Sequence, residues 1–482
     1  MAEKSLKVNA IFSFIKSFMN LVFPIITFPY ASRILMPEGI GQVNFVNSIV
    51  QYFILIAGLG IGSYAIREAA KVRENKQLFS KFAKEIFLIN MVSTVVAYCL
   101  LLITLFFVSS LGNYKVLILI CSIKILFTTF GMDWIYAAQE EFRYITMRSV
   151  IFQLISLVYL FLFVRSSEDI IEYTIFGILS TTGSNICNII HSRKYIDWKL
   201  KVKYEIKKHF KPIFILFGTS IAISVYTVLD STMLGFIVGD ESVGIYTAAT
   251  KINRMLITII TSLNAILLPR LSFYVENNPD EYRKTLKKSF NYLLLLAIPM
   301  IVGLFVLAEP ITIIFCGSDF RQAIVPMRIM TPILLIIPLG SFFSQQIFIP
   351  NRLDKYSLIP VVVGAAINAM INYLLIPHFQ AVGAAIGTVV AEISVTLIKM
   401  FLSVKILHSL WFLLKGTYQY IIAAVIMGGC VWGINLLSEI SIIFLFTEIV
   451  AGMIIYSGIL YVFRNEYMIK LLCDLKRKLK RS

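Results

Sequence analysis

The sequence predicts an all-α integral membrane protein of about 14 transmembrane helices. Two six-helix lobes form a parallel pseudo-twofold repeat, followed by two C-terminal helices. Three observations predict this class. The 482 residues are 58% hydrophobic and only 15% charged, with a mean hydropathy of +0.82, whereas soluble domains are roughly 45–50% apolar and about 25% charged. Apolar runs recur along the whole chain. The 44 Lys and Arg gather mostly in alternate links between those runs.

A spanning helix needs about 20 mostly apolar residues. Such runs lie near 9–32, 42–64, 84–108, 115–138, 148–164, 171–191, 212–238, 245–272, 289–316, 324–349, 357–376, 383–404, 418–438 and 441–463. Met1 to Ala10 lacks the apolar core of a cleavable signal, so the first helix is expected to direct its own insertion. With the N-terminus inside, the inside links collect most of the basic residues, and the opposite links hold Arg33, Lys115, Arg165 and Arg321. This positive-inside asymmetry places both termini in the cytoplasm. It also accounts for most of the net charge of +17 without a nucleic-acid partner. The tail Lys476-Arg477-Lys478-Leu479-Lys480-Arg481 is suited to anionic headgroups.

The longest link, His191 to Lys211, is too short for a soluble catalytic domain. There is no Walker loop, no Gly-x-Ser-x-Gly and no His-Glu-x-x-His, so the expectation is a transporter and not an enzyme. Six scattered cysteines and four unclustered histidines predict no disulfide, no metal site and no cofactor.

Internal symmetry defines the lobes. Pro37-Glu38-Gly39-Ile40-Gly41-Gln42-Val43 matches Asp240-Glu241-Ser242-Val243-Gly244-Ile245-Tyr246 at an offset of 203 residues. Basic loop 65–83 falls on basic loop 270–288, and Lys124 falls within one residue of Arg328. Six helices per half give both halves the same orientation, a plan in which transporters bind substrate between repeats. The expected divisions are an N-terminal lobe at 1–205, a C-terminal lobe at 206–410, helices 13 and 14 at 411–463, and a basic cytoplasmic tail at 464–482.

Charges inside the membrane are the functional candidates, because each is costly there unless it faces protein or water. Lys16, Lys124, Lys251, Arg254 and Arg328 are the candidate cationic cavity. Lys251 and Arg254, at i and i+3, share a helix face. Asp230 lies at a similar depth to Arg254, as either a structural pin of the hairpin or a functional carboxylate. Glu392 is a second deep carboxylate, with Lys399 seven residues later on the same face. Asp230 and Glu392 are the candidates for ion coupling or charge pairing. Asn44, Asn47 and Gln51 form one polar stripe, serving either helix association or sugar binding. Pro24, Pro29, Pro299, Pro332 and Pro338 predict kinks.

Several motifs resemble those of bacterial oligosaccharide repeat-unit flippases (Wzx-type polysaccharide biosynthesis proteins). They are Arg33-Ile34-Leu35-Met36-Pro37-Glu38-Gly39-Ile40-Gly41, Asp133-Trp134 through Gln139 to Phe142-Arg143-Tyr144-Ile145-Thr146, Leu229-Asp230-Ser231-Thr232-Met233-Leu234-Gly235, Thr250-Lys251-Ile252 and Leu268-Pro269-Arg270-Leu271-Ser272. The resemblance implies the multidrug/oligosaccharidyl-lipid/polysaccharide exporter fold in a bacterial inner (cytoplasmic) membrane. It implies movement of undecaprenyl-pyrophosphate-linked oligosaccharide to the outer leaflet for capsule, O-antigen or exopolysaccharide, by alternating access. It further implies coupling to a proton or sodium gradient, with membrane lipids, a polysaccharide polymerase and a chain-length regulator as partners. The alternatives are a multidrug or organic-cation antiporter of the same fold, whose cavity should be acidic or aromatic, and a lipid II-type flippase.

Overall fold

The structure is a computed structural model that describes residues 6–201, 203–407, 409–414, 416–437, 439–470 and 473. The described residues form helices joined by short irregular links, with no strand among them. Among the described residues, eight helices are long and apolar enough to cross a membrane, or ten if two bent pairs each form one span. The chain divides into two compact units, Met1–Gly244 and Ile245–Ser482. The basic tail motif 476–481 lies outside the described residues.

In the first unit, α1 (Leu6–Gly58) contains the first two apolar runs, separated by a break at Met36 (φ 58°) just before Pro37. The chain then turns through Leu59 and Gly60, both at positive φ, into α2 (Ile61–Val72). The sequence reading made 65–83 a basic loop; much of it is instead helix. Ile61, Tyr64, Ala65 and Ala69 fall on one face and are buried, which turns Arg67, Glu68 and Lys71 outward. Asn75 caps α3 (Lys76–Phe107), accepting from the Gln77 and Leu78 amides at 3.0 and 3.1 Å.

Next come α4 (Lys115–Gly131), α5 (Asp133–Ala138) after a left-handed Met132, and α6 (Phe142–Phe163). The sixth apolar run is interrupted: α7 (Ile170–Ile178) passes through a π turn at Leu179–Gly183 into α8 (Asn185–His191). The unit's last full helix is α9 (Lys207–Ile237), which the repeat assigns to the second lobe and which here packs on α1. α1 is the hub, touching α3, α4, α6 and α9. Tyr64, Phe79, Phe82, Trp134 and Tyr136 belong to an aromatic-rich core joining α2, α3 and α5.

α10 (Asp240–Asn277) starts in the first unit and continues into the second. Pro279 at N1 and the Asn278 side chain, which accepts from the Glu281 amide at 3.1 Å, start α11 (Pro279–Val306). The ninth run continues as α12 (Ala308–Cys316) after a break at Leu307. The tenth comprises α13 (Ile324–Met330) and α14 (Ile333–Phe342), ending in a π turn at Phe343–Phe348. The two limbs of this run are bent by 47° around Thr331-Pro332, where proline removes a helical donor. α15 (Leu358–Leu407) joins two runs across a break at Gln380 (φ 50°). A short α16 (Trp411–Leu414) leads to the hairpin α17 (Tyr418–Leu437) and α18 (Ile442–Val462), with α17 packed on α11.

Candidate functional site

Two polar nodes in the first unit contain candidate cations. The first is centred on Arg148, which stands at the very start of the fifth apolar run, 148–164. Because α6 starts at Phe142, Arg148 sits nearly two turns inside a helix, and its side chain is only 6% exposed. It pairs with the carboxylate of Asp133 at the start of α5. Its Nη1 also donates to the Ser184 carbonyl and to Asn185 Oδ1, both at 3.1 Å. Asn188 Nδ2 donates to the same Asp133 oxygen at 2.8 Å. The guanidinium lies 5.8 and 5.6 Å from the ring centres of Tyr136 and Tyr144.

The arrangement is lopsided: the guanidinium is enclosed, while the Asp133 side chain is 61% exposed. Half-buried Lys16 lies within electrostatic range of both. Nearby on the same helices, Gln153 Nε2 donates to Asn20 Oδ1 at 3.0 Å. The lone Lys16 of the sequence is therefore part of a three-charge group. Arg148 is the member that sequence reasoning missed, and a helix start six residues earlier would have exposed it.

The second node is on the other half of α1. Lys124 Nζ on α4 donates to Asn47 Oδ1 at 2.6 Å, and the Cys121 thiol reaches the same oxygen at 3.2 Å. The amide groups of Asn44 and Asn47 donate to their own helix at Ile40 and Val43, at 2.7 and 2.8 Å. The stripe thus orients a cation with Asn47 and satisfies its helix with the other donors. Gln51 continues it, half-buried. One residue on, Tyr52 shares a 3.2 Å hydrogen bond with Thr232 on α9, which also bonds Ser48 at 3.0 Å. Buried Asp230 lies close enough to Tyr52 to influence it electrostatically.

In the second unit, Lys251 is half-buried and lies within electrostatic range of Arg254 and of Cys316 on α12, while Arg254 is exposed. Arg328 on α13 is half-buried; its Nε donates to the Phe305 carbonyl at 3.1 Å and its guanidinium lies 5.7 Å from the Phe305 ring centre. Lys399 Nζ approaches the Gly340 carbonyl at 3.4 Å and feels the charge of Glu392. Asp230 and Arg254 belong to different compact units. Two buried carboxylates escaped the sequence reading. Glu448 on α18 accepts from Asn435 Nδ2 at 3.0 Å. Glu85 on α3 meets His209 Nε2 at 2.9 Å, and His209 Nδ1 meets the Tyr64 hydroxyl at 2.7 Å. Neither has a local sequence signal, since Glu85 and His209 lie on helices far apart in the chain.

With this geometry in place, the chain can be set beside known proteins. Residues 6–275, more than half of the sequence, match the family described as "Polysaccharide biosynthesis protein". The chain belongs to the polysaccharide biosynthesis protein family. Residues 216–376 also match the family described as MatE. Among relatives, the Escherichia coli (strain K12) protein named "Putative O-antigen transporter" is 24% identical over 397 residues, covering 81% of this chain and 95% of that protein. A Haloferax volcanii protein named "Probable low-salt glycan biosynthesis flippase Agl15" is 24% identical over 249 residues, covering 50% of this chain and 51% of that one. Among solved structures, "Lipid II flippase MurJ, inward closed conformation" superposes with a TM-score of 0.75 at 18% identity, covering 95% of this chain and 99% of that chain. An inward-facing multidrug resistance MATE family transporter gives a TM-score of 0.59 at 14% identity, covering 82% and 97%. This member of the polysaccharide biosynthesis family therefore has the fold shared by those transporters.

Proposed function

We propose that the chain is a flippase that moves undecaprenyl-pyrophosphate-linked oligosaccharide repeat units from the cytoplasmic to the outer leaflet of a bacterial inner membrane, supplying O-antigen, capsule or exopolysaccharide assembly. The observations that support it most are the Asp133–Arg148 pair, with Lys16 within electrostatic range of both, and the separate Lys124–Asn47 node. A pyrophosphate requires Arg and Lys donors, the sugar requires a polar lumen, and the polyprenyl tail is as apolar as the bilayer and stays in it. The named relatives support the same substrate class.

The reading includes fourteen spans with both termini cytoplasmic, and alternating access between the two repeat lobes. Lys251, Arg254 and Arg328 join the cationic cavity from the second lobe. Asp230 and Glu392 are its candidates for proton or sodium coupling or for charge pairing. A polymerase and a chain-length regulator receive the product. The MatE match favours a drug exporter of the same fold as the second reading, but among the candidate cavity residues Lys and Arg outnumber Asp and Glu, which argues against a cationic substrate.

The test is expression in a strain lacking its own repeat-unit flippase, scoring surface polysaccharide and inner-leaflet lipid-linked oligosaccharide. Lys251→Ala or Arg254→Ala should abolish surface polysaccharide at normal membrane expression. Normal polysaccharide from well-expressed variants would remove both residues from the mechanism.

A further inference from the structure

The basic end of the first unit contains a crevice of about 950 Å³ that the transport reading does not use. Its floor is apolar: Phe87 on α3, Phe130 near the end of α4 and Ile189 on α8. Phe87 meets Phe130 with ring centres 5.8 Å apart and meets Trp198 edge-on at 5.4 Å. Its rim is basic, with Lys76 at the start of α3 and Arg193 and Lys199 on the link before α9, all exposed. Asp197 also lines it, but its Oδ1 is engaged by the Lys199 amide at 2.9 Å.

The link is held in shape by α3. Buried Lys84 sends its amine to the carbonyls of Trp198 and Leu200, at 2.9 and 2.5 Å, and Ser80 Oγ accepts from the Asp197 amide at 2.9 Å. The crevice is thus formed before any ligand arrives, which lowers the ordering cost of binding.

We propose that this crevice holds an anionic phospholipid of the cytoplasmic leaflet, its phosphate among Lys76, Arg193 and Lys199 and its acyl chains along Phe87, Phe130 and Ile189. Basic pockets between helices on the cytoplasmic side suit anionic headgroups, and aromatic rings such as Trp198 favour headgroup depth. A soluble phosphate would have no use for the apolar floor, and a zwitterionic headgroup would bring its own cation against the basic rim. The site is independent of which substrate the protein transports.

Trp198 provides the readout. In the purified full-length protein in detergent, brominated phosphatidylglycerol should quench fluorescence at a several-fold lower lipid fraction than brominated phosphatidylcholine. Trp198→Phe should remove that difference, leaving the signals of Trp134, Trp411 and Trp432. Lys76→Gln/Arg193→Gln/Lys199→Gln should move the phosphatidylglycerol curve onto the phosphatidylcholine curve, whereas Lys115→Gln/Arg165→Gln/Arg321→Gln should leave the preference intact. Equal quenching by the two lipids in the wild type, or a preference that survives the first triple variant, would overturn the proposal. Displacement of the lipid by micromolar inorganic pyrophosphate would overturn it in favour of a soluble anion.

Discussion

Gly41 and Gly244 close on each other's turns. A Cβ on Gly41 would overlap the Asp240 carbonyl oxygen and lie 2.8 Å from the Gly244 amide nitrogen. A Cβ on Gly244 would overlap the Pro37 carbonyl oxygen and lie 3.0 Å from its Cα. Pro37 and Asp240 are themselves equivalents in the sequence repeat, so the contact is reciprocal, as at a twofold interface. The repeated glycines mark a place where two backbones approach too closely for any side chain.

Gly41→Ala and Gly244→Ala should each destabilise the protein by about 1–3 kcal/mol, the usual cost of forcing a methyl into a packed site. The clash is with backbone on both sides, which places the effect at the upper end. A thermal melt in detergent checks this. Gly429→Ala is the control: nothing lies within 4 Å of its added Cβ, so its melting point should hardly move.

The Asp133–Arg148 pair predicts an asymmetry. Asp133→Asn leaves an enclosed guanidinium without its carboxylate. Its bonds to Ser184 and Asn185 remain, so the cost should be about 2–3 kcal/mol, below the ~3–5 kcal/mol of a pair with no other partners. Arg148→Met leaves a carboxylate open to solvent and should cost less. The double variant should recover most of the melting point yet export no polysaccharide. Full export by the folded double variant would make the pair purely structural.

Lys124 and Asn47 should be energetically coupled. A double-mutant cycle of Lys124→Met and Asn47→Leu is expected to give about 1–2 kcal/mol of coupling for one charge-assisted hydrogen bond. Additive effects on melting would place Lys124 elsewhere in the working protein.

Glu205, on the link before α9, predicts a pH dependence. Lys81 and Lys208 donate to it at 2.9 and 3.0 Å and hold its carboxyl down at about 2, against an ordinary 4.5. A depressed carboxyl contributes stability that is complete above pH 4.5 and lost as pH falls through about 2. The melting-point difference between wild type and Glu205→Gln should therefore be constant from neutral pH to about 5 and shrink below 4.5. Because the group is exposed, high salt should reduce the difference throughout.

Much of this architecture was legible in the sequence. The spans at 84–108, 418–438 and 441–463 reappear closely as α3, α17 and α18, because twenty apolar residues have few alternatives to a helix. The stretch 65–83 was misread because its charges stand out more than the Ile61, Tyr64, Ala65 and Ala69 face that buries α2. Lys16 and Lys124 were legible as cations within apolar helices, but their partners were not: Arg148 lay at a misplaced helix start, and Asn47 has its meaning only through α4. Glu448 was hidden inside a run whose average hydropathy outweighed one carboxylate. Periodicity reports which face is buried, and long-range pairing has no periodicity.

The clamp that Lys84 places on the carbonyls of Trp198 and Leu200 has a practical corollary for mapping this protein. Length alone would recommend the chain's longest link for an epitope tag, a reporter fusion or a protease site. Splicing one in between Ile196 and Leu200 would instead prise a fastened strap off α3, so a silent or degraded fusion there would report a broken scaffold rather than the side of the membrane on which it lies.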